Sequence, residues 1–497
     1  DFCLSRGLGD VYKRQPEDFP QLRCANPAAA DHGQLVAELL DGARVVLCRI
    51  LGGRRGWPEG FDLLRQQCAS RQIALLALGG EAEPDAELTA LSLASAGAVA
   101  QAGEYLRHGD VDNVEQLLRF LADTFLLTGY GFEAPHEVPD QGIYRRDPPL
   151  PGRPTVGFCF YRSHYLTGNT QFVDTFCDAL NQAGAGVFAV WSYTLRRGPD
   201  DRVPALELLD RHVDALVVTM LATGGSGATD EWDASALAAL DVPVIQAVCA
   251  TTSRAVWECS PSGLTPLDAA TQVAIPEFDG RLLGGVISFK ERDAAESSAA
   301  TASVGTAVAR YVADPERCAR VARLATRHAR LRHTPAARRR VALLMTSFPT
   351  KHARVGMAVG LDTPASTLRL LDALAADGMQ LERPFTSGDQ LMHALIATGG
   401  HDPEFLTDEQ LAQAPLRMPV ADYLDWYQTL PARLRESIEE RWGPPPGDQF
   451  VTERDGRSEF VISGLELGNV VVAIQPPRGY GEGAGGTSSV YHDPELP

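Results

Sequence analysis

The chain has 497 residues, the length of about three average domains, and a formal net charge of −19 from 45 basic and 64 acidic side chains. An acidic chain lacks the excess of Lys and Arg that neutralises phosphates, so composition argues against a nucleic-acid-binding protein. Hydrophobic residues make up 44% of the sequence, which excludes a disordered scaffold. The nine cysteines are dispersed without a CxxC pair. This pattern is typical of reduced thiols, and we predict a cytoplasmic protein without a membrane span.

Residues 1–15 are interpreted as a non-native leader, because they begin without Met and lack the apolar stretch of a signal peptide. We predict an N-terminal α/β domain over residues 16–147. Two apolar runs, at 45–52 and 73–78, flank a helical segment at 61–70. The order strand, helix, strand is typical of a parallel sheet.

A second, doubly wound α/β domain is predicted over residues 148–335, after a proline-rich linker. Ligands of such sheets bind beyond the carboxyl ends of the strands. We therefore expect a crevice lined by residues 162–165 and 219–227. The predicted strands are four short apolar runs separated by helices, at 155–161, 187–191, 215–219 and 244–248.

Residues 336–497 are predicted to begin a third α/β domain that carries a helical insertion and is truncated. Its predicted elements, after a basic helix at 317–340, are a strand at 341–345, a polar loop at 346–363, a helix at 364–375, a helical region to residue 440, and strands at 460–462 and 469–474. The fold class predicted for the whole chain is α/β, with several doubly wound, Rossmann-like or periplasmic-binding-like units and helical insertions.

Two of the loops that follow predicted strands combine Arg with His. Residues 161–169 (YRSHYLTGN) contain Arg162 and His164, and residues 348–362 (FPTKHARVGMAVGLD) contain Lys351, His352 and Arg354. Arg pairs with carboxylates and His transfers protons or binds metal, so both loops suit an acidic ligand. The alternatives are a helix start with a packed His in the first loop, and a solvated turn in the second. Asp362, before Thr363 and Pro364, is interpreted as a helix start in either case.

A third loop, residues 276–281 (PEFDGR), places Glu277 and Asp279 beside Arg281. A pair of carboxylates can hold a metal ion or orient a base, although a surface loop has the same composition. The sequence contains no GxxxxGK[ST] motif. If the reaction consumes ATP, another chain is therefore expected to hydrolyse it.

Five motifs occur in a fixed order along the chain: LGG with WP (51–53 and 57–58), YRSHYLTGN (161–169), PEFDG (276–280), GLDTPAS (360–366), and QPPRGY with YHD (475–480 and 491–493). This series resembles the family of the aerobic cobaltochelatase large subunit (CobN type) and the H subunit of magnesium chelatase. The resemblance implies a subunit that binds the tetrapyrrole hydrogenobyrinic acid a,c-diamide and its substrate Co²⁺. An AAA+ ATPase subunit and its companion would supply ATP hydrolysis with Mg²⁺.

The LGG motif favours the cobalt branch of this family. The alternatives are insertion of Mg²⁺ into protoporphyrin IX and a noncatalytic tetrapyrrole carrier. Family members are longer, so the chain is interpreted as an N-terminal fragment that ends before a His- and Glu-containing segment. Within the family, we predict His352 and His492 as proton-accepting bases or transient metal ligands. The other predicted site residues are Arg162, His164, Lys351, Arg354, Arg478 and Tyr480 for the tetrapyrrole, and Glu277 for the metal.

Overall fold

The chain folds into two compact units in a computed structural model, Asp1–Arg332 (unit 1) and His333–Pro497 (unit 2). Both units combine helices with parallel and antiparallel strands, so the predicted α/β class is confirmed. Among the described residues, no helix is both long and apolar enough to cross a membrane. The structure describes residues 14–24, 32–81, 83–198, 200–221, 232–292, 309–347, 354–382, 384–399 and 407–476.

Unit 1 is built from strands that alternate with helices along much of its length. The strands are β1 (Val45–Ile50), β2 (Ala74–Gly79), β3 (Gln141–Arg146), β4 (Thr155–Tyr161), β5 (Gly186–Ser192), β6 (Ala215–Val218), β7 (Val244–Ala250), β8 (Leu282–Arg292) and β9 (Ala309–Ala313). The helices are α1 (His32–Leu40), α2 (Pro58–Ser70), α3 (Ala86–Leu91), α4 (Ala96–His108), α5 (Val111–Leu126), α6 (Arg162–Leu166), α7 (Gln171–Gln182), α8 (Pro204–Leu209), α9 (Ser235–Ala238), α10 (Arg254–Cys259), α11 (Pro266–Ala269), α12 (Ile275–Glu277) and α13 (Pro315–Arg332).

The first two strands form the parallel pair expected from the sequence. Successive side chains of a strand point to opposite faces of the sheet. Leu75 and Ala77 therefore join the core formed with α1 and α2, while Leu76 joins the core formed with α4 and α5. Burial on both faces explains why the sequence of β2 is a continuous apolar run rather than an alternating one.

The main sheet of unit 1 has seven strands in the order β3-β5-β4-β6-β7-β8-β9. Its five central strands are parallel, and β3 and β9 are antiparallel edges. Helices α7 and α13 contribute to the core on one face, and α8 contributes to the core on the other. From β4 the chain adds β5 on one side and then β6 on the other, so the direction of winding reverses between β4 and β6.

All four strands predicted in this region are present, with ends shifted by two residues or fewer. The edge strands β3 and β9 and the long strand β8 escaped prediction. Strand β8 contains Gly284 and Gly285, and its pairing with β7 shifts register at Gly285, where φ is 125°. Glycine inside a strand marks such an irregularity and hides the apolar pattern. The basic helix also ends earlier than predicted, at Arg332, shortly before Pro335.

The described residues of unit 2 form two small sheets, β10-β15-β14 and β11-β13-β12. The predicted helical region to residue 440 is interrupted by β11, because that strand pairs antiparallel with β13, far away in sequence. The strands are β10 (Val341–Met345), β11 (Leu416–Pro419), β12 (Val451–Arg454), β13 (Arg457–Ile462), β14 (Gly464–Leu467) and β15 (Val470–Ile474). The helices are α14 (Thr363–Ala376), α15 (Gly388–Ala397), α16 (Asp408–Gln413), α17 (Val420–Tyr427) and α18 (Ala432–Trp442).

Strands β10 and β15 run parallel and end at the same edge of their sheet. The register pairs Met345 with Ile474, and the Gln475 amide donates to the Met345 carbonyl at 2.8 Å. Buried side chains of both strands pack with Leu371 of α14 and Leu391 of α15. The chain segments that follow the two strands therefore leave the sheet side by side.

Candidate functional site

Two segments that contain predicted site residues begin where β10 and β15 end side by side. Residues 346–362 follow β10 and residues 475–497 follow β15. In parallel sheets, ligands bind beyond the carboxyl ends of the strands. Arg354 lies within the described part of the first segment. The other predicted residues of the two segments, Lys351, His352, Arg478, Tyr480 and His492, lie outside the described residues.

The loop after β10 is closed at its base by backbone contacts. The Gly356 amide donates to the Thr346 carbonyl at 2.7 Å, and the Thr346 hydroxyl donates to the Met357 carbonyl at 2.9 Å. Ser347 and Val355 form an antiparallel bridge beside them. Residues 347 and 355 thus meet at the end of β10.

Beyond this base, the loop turns into α14. The Asp362 carboxylate accepts a hydrogen bond from the Ala365 amide at 3.0 Å, so Asp362 caps the helix. The interpretation of Asp362 as a helix start is confirmed. The Arg354 guanidinium is exposed and contacts the Met357 sulfur at 2.7 Å. Within the described ranges, no carboxylate forms an ion pair with Arg354.

The residues predicted to line a crevice in unit 1 lie where the winding reverses, at the carboxyl ends of β4 and β6. Arg162 follows β4 and is only 5% exposed. Its three guanidinium nitrogens donate to the carbonyls of Pro139 (2.7 Å), Val138 (2.7 Å) and Arg107 (3.2 Å). Burial lowers the pKa of Arg162. These contacts favour a role in holding the surrounding backbone over direct contact with a ligand.

His164 is buried between aromatic rings in the same turn. Its ring lies edge-on to Phe172 and Tyr311, with centroid separations of 5.0 and 5.3 Å. Burial lowers the pKa of His164 to about 4, so its imidazole is neutral at neutral pH. Its Nδ1 is buried without a hydrogen-bond partner. This environment resembles the packed His that the sequence left open as an alternative.

Glu277 and Asp279, which the sequence predicts as a pair of carboxylates, lie in different environments. Glu277 is exposed, whereas Asp279 and Arg281 form a buried ion pair with a separation of 2.7 Å between Oδ2 and Nη2. The Trp232 indole donates to the other Asp279 oxygen at 2.8 Å. Among the residues that the structure describes, no group of three His, Cys, Asp or Glu side chains is arranged to hold a metal ion.

The Arg281 guanidinium binds the chain where it leaves β6. Nη1 donates to the Met220 carbonyl at 2.8 Å and to Gln246 Oε1 at 2.7 Å, and Nη2 donates to the Leu221 carbonyl at 2.9 Å. The Tyr161 hydroxyl accepts from the Leu221 amide at 2.9 Å. This network fixes the start of the loop at residues 219–227, of which residues 222–227 lie outside the described residues.

Sequence reasoning missed Tyr161 and Gln246 as parts of this network. Gln246 is the one polar residue in the buried strand β7 (VIQAVCA). A polar side chain in an otherwise apolar strand needs a buried partner, and that requirement was the available signal. The position of Tyr161 at the last residue of β4 gave no such signal.

Comparison with known proteins places these elements in a family. The family model named CobN/Magnesium Chelatase matches residues 103–497. The chain belongs to the CobN/magnesium chelatase family. The family predicted from the five ordered motifs is thereby confirmed, and the match includes the edge of β10 and β15.

Individual relatives come from both branches of the family. The aerobic cobaltochelatase subunit CobN of Pseudomonas aeruginosa is 34% identical over 98% of this chain and 39% of its own length. The H subunit of the magnesium chelatase of Rhodobacter capsulatus is 28% identical over 76% of this chain and 32% of its own length. A solved structure, the catalytic subunit of cobaltochelatase from Mycobacterium tuberculosis, matches all of this chain and 40% of that subunit, with 40% identity and a TM-score of 0.69. The chain thus spans well under half the length of these relatives.

Proposed function

We propose that the chain is part of the tetrapyrrole-binding large subunit of an ATP-dependent cobaltochelatase, which inserts Co²⁺ into hydrogenobyrinic acid a,c-diamide in cobalamin biosynthesis. The observation that carries the proposal is the parallel pairing of β10 with β15. Because of this pairing, the segment that contains His352 and the segment that contains His492 begin at the same end of the sheet. The chain belongs to the CobN/magnesium chelatase family. Higher identity to the cobaltochelatase relative than to the magnesium-chelatase relative favours cobalt over magnesium.

Metal insertion requires that the pyrrolic nitrogens lose their protons and that the metal ion loses its water ligands. Imidazole groups accept protons near neutral pH and also bind divalent transition metals. We assign these steps to His352 and His492. Lys351, Arg354 and Arg478 suit the carboxylates of the corrinoid, because Arg and Lys form charge-assisted hydrogen bonds with carboxylates. Tyr480 is assigned to the same ligand.

The remaining predicted residues have supporting roles in this proposal. Arg162 and His164 hold the turn after β4, consistent with their burial. Exposed Glu277 is proposed on the path of the metal ion, since carboxylates are weak enough ligands to release it.

Two partner subunits complete the proposed enzyme. The sequence has no Walker-type phosphate loop, so ATP with Mg²⁺ is assigned to an AAA+ ATPase subunit and its companion. A cytoplasmic location is consistent with the cysteines: the eight that the structure describes are free thiols.

A binding titration distinguishes the candidate functions. Hydrogenobyrinic acid a,c-diamide and protoporphyrin IX are added separately to the purified chain, and quenching of its intrinsic fluorescence is recorded. Tighter binding of the corrinoid supports the cobalt assignment. Tighter binding of protoporphyrin favours the magnesium-chelatase branch, whose relatives are less similar to this chain. Binding of neither contradicts the proposal.

The proposed histidine roles are tested in the assembled chelatase complex. We expect His352→Ala and His492→Ala each to lower the rate of Co²⁺ insertion by about 100-fold or more, because proton transfer by a positioned base contributes at least that factor. His393→Ala is the matched control, since His393 is exposed on α15 in the same unit. Unchanged rates in both variants would remove the assignment. Corrinoid binding without ATP-dependent insertion in the complete complex would favour a carrier.

A further inference from the structure

The loop after β10 exposes three apolar side chains within five residues. Met357 and Leu361 are each 55% exposed, and Val359 is fully exposed. We call these three residues the apolar tip. Single apolar residues on a surface are ordinary, whereas a contiguous exposed group marks a surface that contacts another molecule.

Backbone hydrogen bonds hold the apolar tip in place. The Met357 amide donates to the Arg354 carbonyl at 3.1 Å, and the Leu361 amide donates to the Ala358 carbonyl at 3.3 Å. Gly356 and Gly360 turn the chain with φ values of 72° and 75°, a conformation that glycine adopts without strain. These turns restrain the backbone of the tip, and such restraint lowers the entropic cost of binding.

The tip lies beside a positive charge. Arg354 precedes it in the same loop, and its guanidinium contacts the sulfur of Met357 at 2.7 Å. Within the described ranges, no carboxylate neutralises Arg354 through an ion pair. An apolar surface next to such a cation is complementary to a ligand that has an apolar face and a carboxylate at its edge.

We propose that the apolar tip packs against the face of the tetrapyrrole, while Arg354 binds one of its peripheral carboxylates. Met357, Val359 and Leu361 are then substrate-positioning residues of the site at the end of β10. The inference rests on the proposed function, because that function supplies a macrocycle with an apolar conjugated system and peripheral carboxylates. A protein segment with an acidic edge is the other occupant with this chemistry, and the experiment separates the two.

The test uses the full chain and hydrogenobyrinic acid a,c-diamide, with binding followed by fluorescence quenching. We expect Val359→Asp to raise Kd by about ten-fold or more, since a charge would replace an apolar contact that is buried on binding. Val359→Leu keeps the apolar surface and should bind within about two-fold of the unmodified chain. Leu127→Asp is the matched control: Leu127 is 87% exposed in unit 1 and has a φ of 59°, which Asp tolerates.

A second pair of measurements tests the charge. Arg354→Met is expected to weaken binding of the free acid but not of a corrinoid whose carboxylates are esterified, because only the free acid can pair with Arg354. Equal affinity of Val359→Asp and the unmodified chain for the corrinoid would overturn the inference. It would favour a protein segment as the occupant of the tip. Absence of binding by the unmodified chain would instead count against the proposed function itself.

Discussion

The segments that follow β4 and β10 share a combination of residue types and differ in exposure. Each follows a parallel strand, and each combines Arg with His. In the first loop Arg162 and His164 are 5% and 6% exposed. In the second loop Arg354 is exposed and Val359 is fully exposed. A cationic loop after a parallel strand therefore stabilises the fold in one case and presents its side chains to solvent in the other.

The position of each strand in its sheet accounts for this difference. Strand β4 lies between β5 and β6 within a sheet of seven strands, and the segment before β3 covers the turn that follows it. Strand β10 is at the edge of a sheet of three described strands. A loop at the centre of a large sheet is surrounded by neighbouring connections, which need hydrogen-bond donors for their carbonyl groups. A loop at an edge has fewer neighbours to bind.

The largest effect is expected from the buried ion pair between Asp279 and Arg281 in unit 1. Asp279→Ala leaves the buried guanidinium of Arg281 without its carboxylate, and loss of one partner of a buried pair typically costs about 3–5 kcal/mol. Urea denaturation followed by circular dichroism measures the change in the free energy of unfolding. Glu277→Ala, two residues away and exposed, should change it by less than about 0.5 kcal/mol. Similar values for the two variants would contradict a structural role for the pair.

Replacement of the Arg in each loop compares the two loops directly. Arg162→Met removes three donors from buried backbone carbonyls, and we expect it to lower the free energy of unfolding by about 2–3 kcal/mol. Arg354→Met changes an exposed side chain and should shift stability by less than about 0.5 kcal/mol. Both values come from urea denaturation under one set of conditions. Equal losses would show that the loops do not differ as their exposure indicates.

The smallest effect concerns the pH dependence of stability. Burial lowers the pKa of folded His164 from 6.5 to about 4, so the unfolded chain binds a proton more readily than the folded chain. His164 therefore stabilises the fold fully above pH 6.5, and this contribution is lost as the pH falls toward 4. Between about pH 7 and about pH 5, we expect His164→Phe to remove about 2 kcal/mol of the pH dependence. The same pH dependence in both proteins would contradict the neutral, buried state of His164.

Local pattern was sufficient to predict strands β4 to β7 and the helix start at Asp362. The strands β4 to β7 are short apolar runs bounded by helices, and Asp362 before Pro364 is a favourable helix start. The hydrogen-bond partners of the loop residues could not be predicted from local sequence pattern. Asp279 and Arg281 are close in sequence, yet Arg281 also binds the carbonyls of Met220 and Leu221, some sixty residues away.

Apolar runs and ordered motifs are local features of the chain. They were therefore sufficient to predict the α/β class, the family and the two His-bearing segments of unit 2. Tertiary structure alone decided which loop is buried and that β10 and β15 end side by side. Both outcomes depend on pairing between strands that are far apart in sequence, and hydrogen bonds between distant strands leave no periodic signal in either strand.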